Sequence, residues 1–283
     1  MAACWILIAL CGIEIITVRG KMNYVDLSHS LNSQSHSWPA YKAFELKIVA
    51  NESLPDGGWY ASNDISLNEH TSTHLDAPVH FAMRDGIYYA STIPVERLVG
   101  PVSLINLAKK AAVNRDYLVT SSDILEWEET YGQIPKGAIV LFDFNWAQYW
   151  DSFEDVFGSD STNTSTFHFP GVGIDAAKIL AQRGVYGVGI DTPSPDSGPV
   201  LDHPVHSFLL DKNIYILENV ADMSSLPAGG KGVTLVVGAM KIDSGTGGPA
   251  RLIAMFDDAA SSANILSVNL LIILACLFSL SFA

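Results

Sequence analysis

The sequence predicts a single domain of the α/β or α+β class, built around a mixed β-sheet. Short apolar runs bounded by glycine or proline, which are typical of buried strands, alternate with amphipathic stretches that are typical of helices. Strand-like runs are the more numerous, and neither an internal repeat nor a low-complexity linker divides the 283 residues. We therefore expect residues 21–258 to form one domain.

The first half of the chain contains four predicted strands and one predicted helix. The strands are runs of apolar or alternating residues at 23–28, 43–49, 98–106 and 138–144. Residues 122–130 are predicted to be helical, because Asp123 and Glu126 have capping-box-like spacing and Gly132 lies just beyond the end. Residues 151–166 are polar and are expected to form a loop.

The second half contains two predicted helices and four predicted strands. Residues 175–183 form a short amphipathic pattern that stops at Gly184, and residues 202–210 form a second helical pattern. The strand-like runs lie at 186–190, 214–217, 233–238 and 252–256. The run at 214–217 is followed directly by Glu218, which places a carboxylate at the end of a strand.

The first 20 residues contain the apolar segment of a signal peptide, at residues 4–12. No basic residue precedes this segment and Glu14 interrupts the apolar run, so a buried first strand or helix is the alternative. We favour a signal peptide that is cleaved between residues 12 and 21, which predicts an exported protein.

Residues 259–283 have the features of a GPI-anchor signal in the expected order. Small residues at 258–262 precede a short polar spacer and an uninterrupted apolar tail at 270–283. A transmembrane helix is the competing interpretation, but residues 264–283 barely reach the roughly 20 residues needed, and no Lys or Arg follows. We favour the lipid anchor, with the mature protein at the extracellular face of the plasma membrane.

The cysteines and two glycosylation sequons agree with export. Cys4, Cys11 and Cys276 all lie in the terminal segments, so the mature chain would have no thiol, and any metal site must use nitrogen and oxygen ligands. Sequons at Asn51 and Asn163 lie in polar stretches, as expected of a surface glycoprotein. The formal net charge of −14 and the lack of a basic stripe argue against a nucleic-acid partner.

Three of the eight histidines lie close together in the segment HTSTHLDAPVH, as His70, His74 and His80, with Asp76 among them. Imidazole and carboxylate together suit a divalent metal, whereas a lone histidine is usually a hydrogen-bonded core or surface residue. Four residues of a straight strand span about 13 Å, but two ligands of one ion lie within roughly 4 Å. We therefore expect residues 70–74 to bend if His70 and His74 share an ion.

This segment resembles the signature HxGTHxDxPxH of the cyclase family, which includes bacterial metal-dependent kynurenine formamidases and isatin hydrolases. Further matches follow in order along residues 23–256, at 26–29, 144–150, 168–171, 189–194, 216–219 and 248–251. The resemblance implies a swivelling β/β/α-type fold, a small-molecule substrate and a homodimer.

The resemblance also implies the metal ligands. His70, His74 and Asp76 would hold one ion, and Asp76 would bridge to a second ion held by His206 and Glu218. The residue pattern agrees with these two ligands, because a histidine on the predicted helix at 202–210 and a carboxylate at the end of the next strand can converge at the end of that strand. The ligand set suits Zn²⁺ or Mn²⁺, as one ion or two.

Two further residues, His203 and Ser72, bear on the assignment of the metal ligands. His203 is the less suitable partner for the second ion, because Pro204 and the offset of His203 do not match the family pattern. Ser72 stands where the family usually has glycine, which would permit a positive φ or a close approach of substrate. That departure bears on substrate identity more than on metal binding.

His80 is the residue predicted to transfer protons, because histidine titrates nearest to neutral pH. The hypothesis is that metal-activated water attacks an amide carbonyl, and that His80 passes the water proton to the leaving nitrogen. The substrate class implied is an N-formyl aromatic amine or a small cyclic amide. Aromatic residues that would suit its pocket, none of them individually assigned, are Trp38, Trp59, Phe81, Trp146 and Trp150. His29 and His168 are expected to hydrogen-bond to the metal ligands rather than to bind the ion themselves.

Four other functions compete with a metal-dependent hydrolase. A serine hydrolase would require a G-x-S-x-G elbow, which the chain lacks. Residues 171–176 match a dinucleotide fingerprint superficially, but Pro170 rather than a strand precedes them. A catalytically silent surface binding protein would usually have lost a ligand or His80, and this chain keeps all six residues. A metal-dependent lyase or dehydratase at the same site stays open.

Overall fold

The computed structural model describes residues 21–257. The predicted signal peptide at 1–20 and the predicted anchor signal or transmembrane tail at 259–283 lie outside the described residues. Residues Asn23–Phe256 form one compact unit. No helix among residues 21–257 combines the length and apolarity that crossing a membrane requires.

Twelve strands and five α-helices are described between residues 21 and 257. The strands are β1 Met22–Asp26, β2 Glu45–Ser53, β3 Trp59–Ser66, β4 His74–Asp76, β5 Val99–Asn106, β6 Leu118–Val119, β7 Ile139–Asp143, β8 Gly171–Val172, β9 Gly187–Ile190, β10 Tyr215–Glu218, β11 Thr234–Ala239 and β12 Gly247–Asp257. The helices are α1 Ala108–Val113, α2 Ser121–Tyr131, α3 Phe153–Phe157, α4 Ile174–Arg183 and α5 Pro204–Asp211.

Eight of the strands form a mixed sheet that closes on itself like a barrel. Its order is β1-β12-β11-β5-β7-β9-β10-β4, and β4 pairs again with β12. Strands β5, β7, β9 and β10 run parallel to one another, whereas β4, β11 and β12 pair antiparallel. The closure depends on the length of β12, because its first residues pair with β4 and its later residues pair with β11.

Alternate residues of the central strand β7 serve two hydrophobic cores. Val140 and Phe142 pack in the core that also contains side chains of α2, α4 and α5. Ile139 and Leu141 pack in the second core, which is formed largely by side chains of other strands. All five residues of β7 are buried, as expected for a parallel strand that is covered on both faces. The predicted mixed α/β domain is confirmed.

Most predicted elements occur within a few residues of their expected bounds. The helix predicted at 122–130 is α2, although its capping box joins Thr120 to Asp123 rather than Asp123 to Glu126. The helix predicted at 175–183 is α4, which ends at Gly184 with φ 70°. The predicted loop at 151–166 is wrong in part, because α3 begins after Ser152, whose side chain caps its first turn.

The sequence patterns missed β3, β4, β6, β8 and α1, and they placed the start of β12 five residues too late. Strands β2 and β3 form a separate two-stranded ribbon whose side chains are mostly exposed on both faces, so no buried face produces a clear apolar period. The first residues of β12, Gly247-Gly248-Pro249, read as a turn, yet they pair with β4 and so lie beside the metal-ligand candidates.

Candidate metal centre and active-site cleft

Two neighbouring antiparallel strands place three of the predicted ligands on one face. His74 of β4 lies directly opposite Glu218 of β10, and Asp76 lies two residues beyond His74, so its side chain points the same way. His206 comes from α5, the helix that precedes β10. All four side chains are buried, with exposures of 7% or less: His74, Asp76, His206 and Glu218.

The chain bends into β4 at Ser72, which has a left-handed backbone with φ 59°. The Ser72 amide donates to the His36 carbonyl at 2.8 Å. The Ser72 carbonyl accepts hydrogen bonds from His74 Nδ1 at 2.9 Å and from Asn219 Nδ2 at 3.1 Å. The expected bend between residues 70 and 74 is therefore present, at the position where the family signature has glycine, the residue that adopts positive φ most readily.

The four buried side chains form a closed set of contacts, which we call the ligand ring. His74 Nε2 lies 3.2 Å from Asp76 Oδ1 and 3.2 Å from Glu218 Oε2. His206 Nε2 lies 3.2 Å from Asp76 Oδ2 and 3.1 Å from Glu218 Oε1. Two imidazole nitrogens thus alternate with two carboxylates around one point, and these are donor types that bind Zn²⁺ or Mn²⁺.

The hydrogen bonds of the two imidazoles direct their Nε2 lone pairs into the ligand ring. His74 Nδ1 donates to a carbonyl, and Asp196 Oδ2 accepts from His206 Nδ1 at 2.7 Å. His74 Nε2 is fully buried, and none of the described residues provides it with a hydrogen-bond partner. An orphaned nitrogen between two carboxylates is the arrangement that a divalent ion would complete.

The charges in the ligand ring also require a cation. Burial alone would lower the pKa of His74, but the adjacent carboxylates of Asp76 and Glu218 raise it to about 10. Burial would likewise raise the pKa of Asp76, but the neighbouring histidines, His70 first among them, hold it well below its ordinary value. The site therefore favours ionised carboxylates beside positive charge, which protons or a metal ion can supply. The residues fit a divalent metal.

His70 and His80 form a second group that shares Asp76 with the ligand ring. His70 Nδ1 contacts Asp76 Oδ1 at 2.6 Å, and its Nε2 contacts Thr246 Oγ1 at 3.0 Å. The His80 ring stacks on the His70 ring with centroids 4.0 Å apart. His70, Asp76 and His80 offer ligand atoms within 4.8 Å of one another. Asp76 is thus common to both groups, and His80 lies close enough to be a ligand as well as a proton carrier.

Asp196, which is not among the residues predicted from the sequence, organises the second half of the ligand ring. Its carboxylate accepts the Val205 amide at 2.8 Å and the His206 amide at 3.1 Å, besides His206 Nδ1. It therefore caps the first turn of α5 and orients the His206 ring at the same time. Asp196 lies ten residues before His206 in an irregular segment, so no periodic pattern identifies it.

A cleft opens onto the ligand ring. Of the five predicted aromatic residues, Trp38 and Phe81 line it, together with Tyr41 and Phe157. Trp150 packs behind the cleft, stacked on His29 with ring centroids 3.9 Å apart. The other two lie elsewhere: Trp146 in the helical core and Trp59 exposed on the ribbon.

The remaining polar groups of the cleft carry little positive charge. Its lining residues include Ser37, Ser194 and Asn219, and none of those described is Lys or Arg. Burial lowers the pKa of His80 to about 4, so this ring is neutral near pH 7. His168 lies outside the cleft, half-exposed, with Nδ1 2.8 Å from Asp116 Oδ2.

Comparisons with known proteins agree with this arrangement. The family model described as "Putative cyclase" matches residues 25–197, more than half of the chain. An isatin hydrolase of Roseibium aggregatum is 32% identical over 212 residues, which cover 72% of this chain and 78% of the relative. A kynurenine formamidase of Bacillus cereus is 26% identical over 197 residues, which cover 70% of this chain and 81% of the relative.

Solved structures give the same result. Isatin hydrolase A from Labrenzia aggregata, solved with benzyl benzoate bound, aligns with a TM-score of 0.76 at 30% identity. The alignment covers 84% of this chain and 94% of that chain. The match therefore extends through α5 and β10, which lie beyond the residues that the family model covers.

Proposed function

The chain belongs to the putative cyclase family and is a metal-dependent amide hydrolase, and we propose that it cleaves the C–N bond of a small, uncharged aromatic amide. An isatin-like cyclic amide fits this description. The observation that carries the proposal is the ligand ring, which places two imidazoles and two carboxylates at the floor of an aromatic cleft.

We propose that His74, Asp76, His206 and Glu218 hold a divalent ion, Zn²⁺ or Mn²⁺, and that His70 and Asp76 contribute to a second site where two ions bind. When bound, such an ion lowers the pKa of water and polarises a carbonyl group. His80 is close enough to this floor to accept the proton of the attacking water and to deliver it to the leaving nitrogen. Its neutral ring has the free lone pair that the first of these steps needs.

The charge of the cleft distinguishes the two candidate substrates. N-formylkynurenine carries an α-carboxylate and an α-ammonium group, whereas isatin is neutral. The cleft lining described above offers no Lys or Arg to pair a carboxylate, and the whole chain has a formal net charge of −14. A carboxylate that loses its water without gaining a cation is unfavourable. We therefore place the isatin-like amide before the N-formyl amino acid.

The test is hydrolysis by the detergent-solubilised full chain, stripped by chelator and then supplied with Zn²⁺ or Mn²⁺. We expect isatin turnover to disappear on stripping, to return with metal, and to exceed turnover of N-formylkynurenine. His80→Ala should retain the metal and lose turnover by about 10²–10⁴-fold. His168→Ala, which removes an exposed histidine outside the cleft, is the matched control. Loss of metal in His80→Ala would instead make His80 a ligand, and no turnover of either compound would reject the substrate class.

We propose that the mature protein is secreted and held at the extracellular face of the plasma membrane, by a lipid anchor or by the C-terminal tail. The proposal rests on the apolar segments at 4–12 and 270–283. Release from intact cells by a phosphatidylinositol-specific phospholipase would support the lipid anchor. A protein that stays with the membrane after this treatment would favour the transmembrane tail.

We also propose a homodimer that uses the ribbon of β2 and β3. The strand register puts Leu46, Ile48, Trp59 and Ile65 on one face of the ribbon, and each is more than half exposed. A two-stranded ribbon is marginally stable alone, and an exposed apolar face is typical of a contact surface. Ile48→Asp should yield a monomer in sedimentation, whereas Lys47→Asp, on the polar face, should not.

The strand register places the sequon residue Asn51 on the same apolar face of the ribbon. Its glycosylation is therefore a second test of the proposed dimer. A glycan at Asn51 would stand where the second subunit is proposed to pack. Mass spectrometry of the secreted protein should therefore find Asn163 glycosylated and Asn51 unmodified. Full occupancy of Asn51 in a dimeric protein would exclude this face as the interface.

A further inference from the structure

His203 is a histidine of the cleft that the proposed function does not use. It is the N-cap residue of α5, with a left-handed backbone at φ 47°, and Pro204 follows it at the first position of the helix. Its side chain is about one-third exposed and lines the cleft, three residues before His206 of the ligand ring. The backbone therefore holds this ring at the cleft wall rather than in the helix.

The two nitrogens of His203 have different surroundings. Nδ1 is buried, has no hydrogen-bond partner among the described residues, and lies 4.0 Å from Asp196 Oδ2. This carboxylate also accepts the hydrogen bond of His206 Nδ1, so Asp196 lies between two imidazoles. Because Nδ1 occupies the buried edge of the ring, the exposed edge carries Nε2. A nearby carboxylate favours the proton on Nδ1, which leaves the lone pair of the neutral ring on Nε2.

The ring of Phe81 lies close to the rings of three histidines, His80, His203 and His206. The Phe81 centroid lies 4.7 Å from that of His80, 5.3 Å from that of His203 and 4.7 Å from that of His206. Trp38 approaches His203 with centroids 6.4 Å apart. A flat aromatic amide that lies on Phe81 with its carbonyl toward the ligand ring is thus bordered by two histidines, only one of which is needed for proton transfer.

We propose that His203 Nε2 accepts a hydrogen bond from the amide N–H of the substrate. His203 is then a specificity residue that selects amides with a free N–H over N-substituted amides. The inference rests on the proposed function, because it assigns the recognition of the scissile amide at the same site. It also predicts that N-alkylation of the substrate matters more than alkylation of its aromatic ring.

The experiment compares isatin, N-methylisatin and 5-methylisatin as substrates of the metal-loaded full chain at pH 8. We expect wild-type kcat/KM to fall about tenfold with N-methylisatin, the usual worth of one good hydrogen bond, and to change little with 5-methylisatin. His203→Leu should lower kcat/KM for isatin by about the same factor and abolish the preference. His203→Asn, whose side chain is too short to reach, tolerates the left-handed backbone and guards against misfolding. His168→Leu is the control that should keep the preference.

A binding measurement separates this inference from the proposed function. Calorimetry with oxindole and N-methyloxindole, which keep the lactam but lack the second carbonyl group, reports the N–H contact without turnover. If isatin is not hydrolysed but oxindole binds about tenfold more tightly than N-methyloxindole, and only with His203 present, the inference stands and the proposed substrate fails. Equal binding of the two lactams, no binding of either, or an unchanged preference in both His203 variants would overturn it. Loss of bound metal in His203→Asn would also overturn it, because His203 would then be a ligand.

Discussion

Two buried aspartates of this protein show how neighbours decide what a carboxylate does. Asp76 and Asp191 are 1% and 3% exposed, and burial raises the pKa of either group in the absence of other effects. Asp76 is surrounded by histidines and its pKa is held well below the ordinary value. Asp191 has Asp143 as its charged neighbour, and burial followed by that repulsion raises its pKa to about 8.

The two regions also differ in what the carboxylate binds. Asp76 contacts imidazole nitrogens that can bind a metal ion together with its carboxylate at the floor of the cleft. Asp191 accepts backbone amides from the turn after β7, from Phe144 at 3.1 Å and from Trp146 at 2.6 Å. A buried aspartate is therefore not by itself evidence of a metal site. The imidazoles around Asp76 suit it to metal binding. The backbone amides around Asp191 suit it to stabilising the turn after β7.

The largest expected effect comes from removing the charge of each aspartate in turn. Asp76→Asn should leave the protein with little bound metal after dialysis and should lower hydrolysis by more than 100-fold, because losing even an outer partner of a ligand costs about 10–100-fold. Asp191→Asn should bind metal as the wild type does. Metal analysis and steady-state kinetics on both variants provide the check. Equal loss of metal in the two variants would remove the distinction between the regions.

Asp196→Asn should produce an intermediate effect, because Asp196 belongs to the histidine region through His206. We expect metal affinity to fall about 10–100-fold, since an amide cannot hold both the backbone amides and the imidazole Nδ1–H. Asp123→Asn is the matched control, because Asp123 also caps a helix but contacts Lys110 and Tyr117 instead of a histidine. Competition with a chelating dye measures both affinities. An unchanged affinity in Asp196→Asn would show that the cap alone accounts for this residue.

The pH dependence of stability should reveal the proton on Asp191. Its pKa is raised from 3.8 to about 8 in the folded protein, so between these values the unfolded chain loses a proton that the folded chain keeps. The free energy of unfolding should therefore fall as pH rises from about 4 to 8, by at most about 1.4 kcal/mol per pH unit. Asp191→Asn should lack this contribution. Urea unfolding of both proteins across the range tests it, because contributions from the histidine region cancel in the difference. Parallel curves would show that Asp191 is ionised when folded.

The smallest expected effect concerns the backbone that supports the histidine region. Ser72→Gly should raise the free energy of unfolding by about 0.5–1 kcal/mol, because a left-handed backbone costs a non-glycine residue about 1–2 kcal/mol and the freedom of glycine offsets part of the gain. Ser244→Gly is the control, since Ser244 is exposed and has φ 56°. Both variants should be stabilised alike, with metal affinity unchanged. A destabilised Ser72→Gly would mean that the serine hydroxyl contributes more than its backbone costs.

The sequence was informative where residues act through local spacing. The run of histidines with Asp76 suggested nitrogen and carboxylate ligands and predicted a bend between residues 70 and 74 if His70 and His74 share an ion, and the structure has a left-handed residue there at Ser72. Most buried strands were predicted for a similar reason, since short apolar runs between glycines and prolines are typical of strands that are buried in a sheet. The ribbon was predicted only in part, because its exposed strands lack such a run.

What the sequence by itself determined, therefore, is the fold class and the candidate metal ligands of the segment 70–80, to which the family resemblance adds the candidates His206 and Glu218. Only the tertiary structure decided that Asp196 lies between His203 and His206, that His80 stacks on His70, and that Asp76 is charged where Asp191 is not. The physical reason is that pKa values and ring contacts depend on distances across the closed sheet. Residues far apart in sequence set those distances, and no local pattern records them.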